Sequence, residues 1–319
     1  MKKYIILFII FSLSTSVEGL DYVPNDYIWT FAYTRDSKYI ATAEVGGNIC
    51  IYDSINLELI KTLQGHDYQN TSRYLEFSPD GLYIASCSHD ILIFNLETED
   101  IIFNSDPKSY VITSISYRFD GQRIVSGSAN GIITIYDIIN GKEIMTLDNS
   151  PREVIKAISY SPDGSKIIAA FENCFKIWDA NNGREIMTIY EQNMYLNTAS
   201  FSPDGTKIIA NYSNSLWRGG DGSNIIKIYD SNNYEILYSN IIRNRDIRNA
   251  FFIPNSDYII YLHDGYLLIV MDYKNGNIIH EFPQGNRFVL SRFFIAIGYN
   301  GENIIYTENG YDIKIWKLY

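Results

Sequence analysis

The sequence predicts an all-β chain, a seven-bladed β-propeller of four-stranded antiparallel blades, on three observations. Two short signatures each recur seven times, one of them returns at a nearly constant spacing, and helical periodicity is absent after residue 19. The first signature is an apolar run closed by a tight turn: Thr34-Arg35-Asp36-Ser37, Ser78-Pro79-Asp80-Gly81, Arg118-Phe119-Asp120-Gly121, Ser161-Pro162-Asp163-Gly164 and Ser202-Pro203-Asp204-Gly205, with weaker copies at Ile253 to Ser256 and Gly298 to Gly301. The second is an Ile-x-Ile-aromatic-Asp strand. It ends at residues 53, 95, 137, 179, 230, 272 and 317, so successive copies lie 42, 42, 42, 51, 42 and 45 residues apart. A period of about 40–45 residues is that of a four-stranded propeller repeat, which cannot bury both faces alone and must stack on its neighbours.

The third repeat shows how the residues build one blade. Thr113 to Tyr117 alternates as a short inner strand, and Asp120-Gly121 turns the chain back. Gln122 to Gly127 and Ile132 to Tyr136 read as the second and third strands. Asn140-Gly141 is a hairpin signal, and Glu143 to Leu147 is the fourth strand. In the first repeat, Trp29 to Tyr33 is the expected inner strand.

These features together resemble the WD40 family across essentially all of residues 20–319. The period, the Ser-Pro-Asp-Gly turns and the Ile177 to Asp179 strand with its Trp-Asp end carry the likeness. Only one Gly-His pair, Gly65-His66, and one literal Trp-Asp pair, Trp178-Asp179, are present, so the family's buried His-Ser-Asp-Trp network is mostly missing. TolB-like and lactonase-like propellers share the turn. The resemblance also implies how the ring closes: the last repeat stops after its third strand, Ile313 to Leu318, and the N-terminal segment Leu20 to Val23 supplies the fourth.

The N-terminus reads differently. Lys2 and Lys3 precede an apolar run from Tyr4 to Leu13, and Ser16-Val17-Glu18-Gly19 offers small residues for cleavage after Gly19. The apolar run is shorter than the roughly 20 residues needed to span a bilayer, so residues 1–19 are expected to be a secretory signal, and the mature chain periplasmic or secreted with no membrane span. The 319 residues are 46% hydrophobic, enough for a large core, and carry a formal net charge of −11 at a pI near 4.9. Such a surface repels phosphate backbones and anionic membranes, which argues against nucleic acid as a partner. Cys50, Cys87 and Cys174 sit in apolar runs and read as core residues, with a Cys50–Cys87 bridge as the alternative.

No enzymatic motif is present: no Gly-rich phosphate loop, no GxSxG and no HExxH. The expectation is a non-enzymatic, monomeric scaffold with no cofactor and no metal. Asp80, Asp120, Asp163 and Asp204 read as turn residues. The pairs His66-Asp67, His89-Asp90 and His263-Asp264 read as packing and turn residues, with a metal or acid–base site as the sharper alternative. That alternative belongs to a lactonase-like propeller enzyme or small-ligand binder using the central funnel.

The 51-residue interval holds the most specific feature. About nine extra residues fall in Asn214 to Asn224, between the second and third strands of the fifth repeat. Family topology puts this loop on the rim that also carries the connection Asn240 to Arg248. The two segments contain Trp217, Arg218, Arg243, Arg245 and Arg248, a Trp–Arg group on an acidic chain, as at interface hot spots. These five residues are the candidate anchors for a protein or peptide partner. The plainer alternative is a tolerated Gly-rich loop. Asn70-Thr71-Ser72 and Asn211-Tyr212-Ser213 match the glycosylation tripeptide.

Overall fold

The computed structural model describes residues 28–44, 46–66, 74–147, 153–214, 222–242, 247–263, 267–283, 295–297, 303–308 and 312–317. Every regular element among them is a strand. The first repeat gives β1 (Ile28–Tyr33), β2 (Tyr39–Glu44), β3 (Asn48–Asp53) and β4 (Leu59–Gln64). The second gives β5 (Tyr74–Phe77), β6 (Tyr83–Cys87), β7 (Ile91–Asn95) and β8 (Ile101–Asn104). The third holds β9 (Ile112–Tyr117), β10 (Arg123–Ser128), β11 (Ile133–Asp137) and β12 (Lys142–Leu147), and the fourth β13 (Ala157–Tyr160), β14 (Lys166–Ala170), β15 (Cys174–Asp179) and β16 (Glu185–Tyr190). The fifth follows with β17 (Tyr195–Phe201), β18 (Lys207–Ser213), β19 (Asn224–Asp230) and β20 (Ile236–Ile242), and the sixth with β21 (Ile247–Phe252), β22 (Tyr258–His263), β23 (Leu267–Asp272) and β24 (Asn277–Pro283). The last repeat contributes β25 (Ile295–Ile297), β26 (Asn303–Glu308) and β27 (Asp312–Lys317).

Each repeat is one meander in strict chain order, giving six four-stranded sheets and one three-stranded sheet among the described residues. This is the blade architecture of a β-propeller. The expected strands of the third repeat differ from those found by one residue at one or both ends, where frayed ladders leave boundaries soft. The closing strand expected at Leu20 to Val23 and the leader at residues 1–19 lie outside the described residues. Among the described residues no helix is long and apolar enough to cross a membrane.

The turn signature works through its side chains. Ser78, Ser161 and Ser202 donate their hydroxyls to Asp80, Asp163 and Asp204 at 2.5, 2.6 and 2.5 Å, and Thr34 does the same to Asp36 at 2.6 Å. Each of these carboxylates accepts the N–H two residues on at 3.0 Å. The glycine that follows takes φ of +73°, +69° and +72° at Gly81, Gly164 and Gly205, a conformation open to glycine at little cost. Burial works to raise the carboxyl pKa of Asp36, Asp163 and Asp204, but the hydroxyl and amide donors outweigh it and the net shift is downward. The Asp that ends each third strand has the same kind of role. Asp53, Asp179 and Asp230 accept the N–H groups two and three residues on at 2.8 and 3.2 Å, which caps the next turn.

Two compact units divide the described chain, one from residues 28–88, 92–102 and beyond 285, the other from residues 89–91 and 103–284. In the second unit each sheet shares an apolar core with the next. Val125, Ile135, Ile158, Ile167 and Trp178 join the third and fourth sheets, Phe175, Ile177, Ala199 and Tyr212 the fourth and fifth, and Ile226, Ile228, Ile259 and Met271 the fifth and sixth. In the first unit Ile49, Ile51, Leu75 and Phe94 join the first and second sheets. Cys50, Cys87 and Cys174 are buried and none is in a disulfide, so the alternative Cys50–Cys87 bridge is not formed. Burial pushes the Cys50 thiol up to about 12 and the Cys174 thiol up to about 11, which leaves both protonated core residues.

The outer edge strands share a second device. In β4, β12, β16, β20 and β24 the register slips by one residue, leaving Ile60, Ile144, Ile186, Leu237 and Ile279 as the extra residue of a bulge. All five are aliphatic and between 37% and 54% exposed. An edge strand with bare N–H and C=O groups and apolar side chains is a template for pairing with another chain, and a bulge breaks that template. Deleting Leu237 to regularise β20 is expected to leave the strand content intact and increase concentration-dependent association in light scattering. Scattering equal to that of the parent protein would show that the bulge does not guard the edge.

Candidate interaction site on the fifth repeat

The long interval falls where the sequence placed it, between β18 and β19. Trp217 and Arg218, and Arg243 and Arg245, lie in segments 215–221 and 243–246, outside the described residues. Arg248 stands in β21, where its main chain alone is described. The structure does describe the residues that flank both segments.

The base of the insertion is closed by main-chain bonds: the Asn214 N–H donates to Ser223 O at 2.7 Å, and the Gly222 N–H to Asn214 O at 2.8 Å. Next to it, Asn224 is fully buried and lies opposite both Ser213 and Ile242 in the ladder. Its side chain accepts the Ile247 N–H at 3.1 Å and donates to Gly222 O at 3.4 Å. The Ile247 carbonyl is gripped from the other side, by Asn211 Nδ2 at 3.0 Å and Asn197 Nδ2 at 2.7 Å. Three asparagines on β17, β18 and β19 thus hold the N–H and the C=O of one residue, Ile247, at the start of β21.

Local strand geometry explains Asn197. In both β9 and β17 the inner ladder slips by one residue, at Thr113 and at Asn197, and the extra residue is turned toward the next sheet. Thr113 donates its hydroxyl to Ile155 O at 2.6 Å, and Lys156 at the corresponding place in the fourth repeat donates to Leu196 O at 2.6 Å. One side-chain donor therefore reaches forward from each of these repeats, and at Ile155 and Leu196 the N–H of the same residue is taken by a main-chain carbonyl, Ser128 O at 3.1 Å and Glu172 O at 2.7 Å. The fifth repeat alone of these three adds two more asparagines to the same tether. Asparagine is depleted from strands, so three of them in otherwise apolar runs were the signal available in the sequence.

Beside this clasp, Lys227 pairs with Glu191 at 2.5 Å and lies over the Tyr212 ring at 5.8 Å, while the Tyr212 and Tyr229 hydroxyls meet at 3.2 Å. Burial pushes the Tyr229 phenol up to about 12 and Tyr212 further still, so both stay neutral and serve as packing groups. Asn211 is 1% exposed, which corrects the glycosylation reading of Asn211-Tyr212-Ser213: a buried strand residue offers no acceptor site. Asn70 lies outside the described residues, as do Asp67 and Asp264. His66 is buried, with Nε2 2.9 Å from Ser86 Oγ, which is the packing role expected of it. Among the described residues no three His, Cys, Asp or Glu side chains gather as a metal site.

Comparisons with known proteins place this geometry in a family. Residues 57–93 match the model described as WD domain, G-beta repeat, and residues 94–217 match Nucleolar protein 10-like, N-terminal domain. The chain is 22% identical to Protein FIZZY-RELATED 3 of Arabidopsis thaliana over 53% of its own length and 36% of that protein. It is 25% identical to WD repeat-containing protein SL1-17 of Schistosoma mansoni over 46% of the chain and 48% of the relative. To U3 small nucleolar RNA-associated protein 4 homolog of Homo sapiens it is 22% identical over 73% of the chain and 34% of the relative. The matched part thus spans about a third to a half of these relatives.

The nucleolar descriptions correct the expected export. A lysine pair followed by ten mostly apolar residues was the whole basis for the secretory location. The repeat period, the capped turns, the stacked four-stranded sheets and the matched repeat model lead to one family: the chain is a WD40-repeat protein.

Proposed function

We propose that the chain is a non-enzymatic, monomeric scaffold that holds a protein or peptide partner at the rim of a seven-bladed ring spanning residues 20–319, with Trp217, Arg218, Arg243, Arg245 and Arg248 as anchors. Seven signature copies support the blade number, and the segment Leu20 to Val23 supplies the strand that the three-stranded last sheet needs. The observation that carries the reading is the clasp. The repeat with the 51-residue interval is also the one tied to the next by three side-chain bonds at Ile247, against one each from Thr113 and Lys156 in the third and fourth repeats. A merely tolerated insertion needs no such anchorage, whereas a binding loop is held in place by a rigid scaffold. Relatives whose names are nucleolar favour a setting inside the cell, so the partner is sought in whole-cell lysate.

The test compares capture by the full-length chain and by a Trp217→Ala/Arg245→Ala variant, with bound proteins identified by mass spectrometry. A partner held by the parent and lost by the variant is expected. Equal capture by the two would move the site away from the rim.

A further inference from the structure

Four tight turns among the described residues carry the pair Asn-Gly: Asn130-Gly131, Asn140-Gly141, Asn182-Gly183 and Asn275-Gly276. An asparagine before glycine is open to attack by its own chain, because no side chain shields the glycine nitrogen. Attack needs an amide carbon free to turn toward that nitrogen, a nitrogen with no hydrogen bond to give up, and room for the turn to flatten into a ring. All four glycines share a positive φ, +83°, +64°, +72° and +76° in chain order, so backbone conformation does not separate them.

Their hydrogen bonds do. The Gly131 N–H donates to Ser128 O at 3.1 Å, the Gly183 N–H to Asp179 O at 2.9 Å and the Gly276 N–H to Asp272 O at 2.8 Å. The Gly141 N–H makes no such bond among the described residues, although Asp137 ends β11 as Asp179 ends β15 and Asp272 ends β23. The side chains divide in the same way. Oδ1 of Asn182 accepts the Arg184 N–H at 2.9 Å, Oδ1 of Asn275 the Asn277 N–H at 2.8 Å, and Oδ1 of Asn130 the Ser128 hydroxyl at 2.6 Å, so each of these amide carbons is held. Asn140 is tied through its nitrogen instead, which donates to Asp137 Oδ2 at 2.8 Å. Space separates them again. A Cβ on Gly183 would meet Met145 Sδ at 2.5 Å and one on Gly276 the Tyr238 hydroxyl at 3.3 Å, whereas nothing lies within 4 Å of one on Gly141. Asn140 and Gly141 are both exposed.

We propose that Asn140-Gly141 is a self-modification site, where the side-chain amide is lost and the main chain passes through a succinimide to aspartate and isoaspartate. Hydroxide removes the proton of the Gly141 N–H, and that nitrogen bonds to Asn140 Cγ. The Cγ–Nδ2 bond breaks as Nδ2 takes a proton from water and leaves as ammonia, which restores the hydroxide. Water then adds to either ring carbonyl: breaking the new bond to Cγ gives aspartate, and breaking the original peptide bond gives isoaspartate. Either product sets a second carboxylate beside Asp137 in place of an amide donor. Isoaspartate also lengthens the main chain by a methylene in the turn that pairs Asp137 with Lys142, at the start of the edge strand β12.

The test incubates the full-length chain in warm, mildly alkaline buffer and reads conversion at the four pairs by peptide mass spectrometry, with isoaspartate told from aspartate by retention. Asn140 is expected to convert about three- to ten-fold faster than Asn130, Asn182 and Asn275, the factor set by the main-chain bond that each of those must first give up. In urea, which removes the turn geometry, the four rates are expected to converge. Hydrogen exchange at the Lys142 to Thr146 amides is expected to quicken as the parent chain ages. In Asn140→Gln, whose longer side chain cyclises slowly, exchange there is expected to stay as it began.

Conversion at Asn130, Asn182 or Asn275 as fast as at Asn140 in the folded chain overturns the assignment. Persistence of the same order in urea overturns it as well, because the neighbouring residues and not the fold would then set the rates.

Discussion

Trp178→Ala is expected to lower the free energy of unfolding by about 3–5 kcal/mol, the range for truncating a large aromatic in a packed core. Trp178 is 3% exposed on β15 and meets Phe171 edge-on, with centroids 6.3 Å apart at 63°. It packs in the core that joins the third sheet to the fourth, with Val125, Ile135 and Ile158. The loss therefore strikes the contact between two blades rather than the inside of one, and stacking between sheets is what a propeller repeat depends on. Ile55, 73% exposed in the first repeat, is the control: Ile55→Ala is expected to shift stability by no more than about 0.5 kcal/mol. Denaturant unfolding, with the slope checked for constancy, measures both. A cost under about 1 kcal/mol for Trp178→Ala would mean that the shared faces contribute little, against the physics of stacked repeats.

That tryptophan was legible in the sequence because repetition does the work of comparison within one chain. Five turn copies show that Asp80, Asp163 and Asp204 cap their own backbone, and the structure finds them doing so. The long interval was legible in the same way, as a departure from a constant period. Asn197, Asn211 and Asn224 were not. Each sits in an apolar strand where a single asparagine reads as noise, and they become a set only when β17, β18 and β19 are paired and Ile247 arrives from the next repeat. Periodicity reports which face of a strand is buried. It carries no record of which main-chain group on another repeat a polar side chain will meet. Location failed for a different reason: it rested on one short apolar run after two lysines, and relatives with nucleolar names speak against it.

Gly65→Ala is expected to destabilise the chain by about 1–3 kcal/mol, the range for overpacking, toward the upper end because the obstructing atom cannot move aside. The Gly65 N–H donates to Gly47 O at 3.1 Å, and a Cβ on Gly65 would stand 2.4 Å from that same oxygen. Relief requires the two backbones to part, which breaks the bond and shifts His66, whose Nε2 lies 2.9 Å from Ser86 Oγ in the buried interior. Gly127 is a useful contrast, since its Cβ would meet Ile155 Cγ2 at 2.5 Å and Ile155 Cβ at 3.2 Å, side-chain atoms rather than backbone. Gly141 is another: its φ of +64° strains alanine by about 1–2 kcal/mol, but nothing lies within 4 Å of the new methyl group. The expected signature that separates them is local. Gly65→Ala should speed hydrogen exchange at the residue-65 amide, which loses its bond to Gly47 O, whereas Gly141→Ala should lower stability without that change. Unaltered exchange at that amide in Gly65→Ala would show that the close approach of the two backbones is not what requires glycine. The Gly-His pair then has a reason that does not depend on how often it recurs. At the end of β8 the chain solves the same closure differently: Ser105 donates its N–H to Ile91 O at 3.0 Å and accepts the Ile91 N–H on its hydroxyl at 2.9 Å. The same kind of main-chain bond is thus made with a side chain in place, and the glycine is required only where a Cβ would run into the accepting oxygen, as at Gly65.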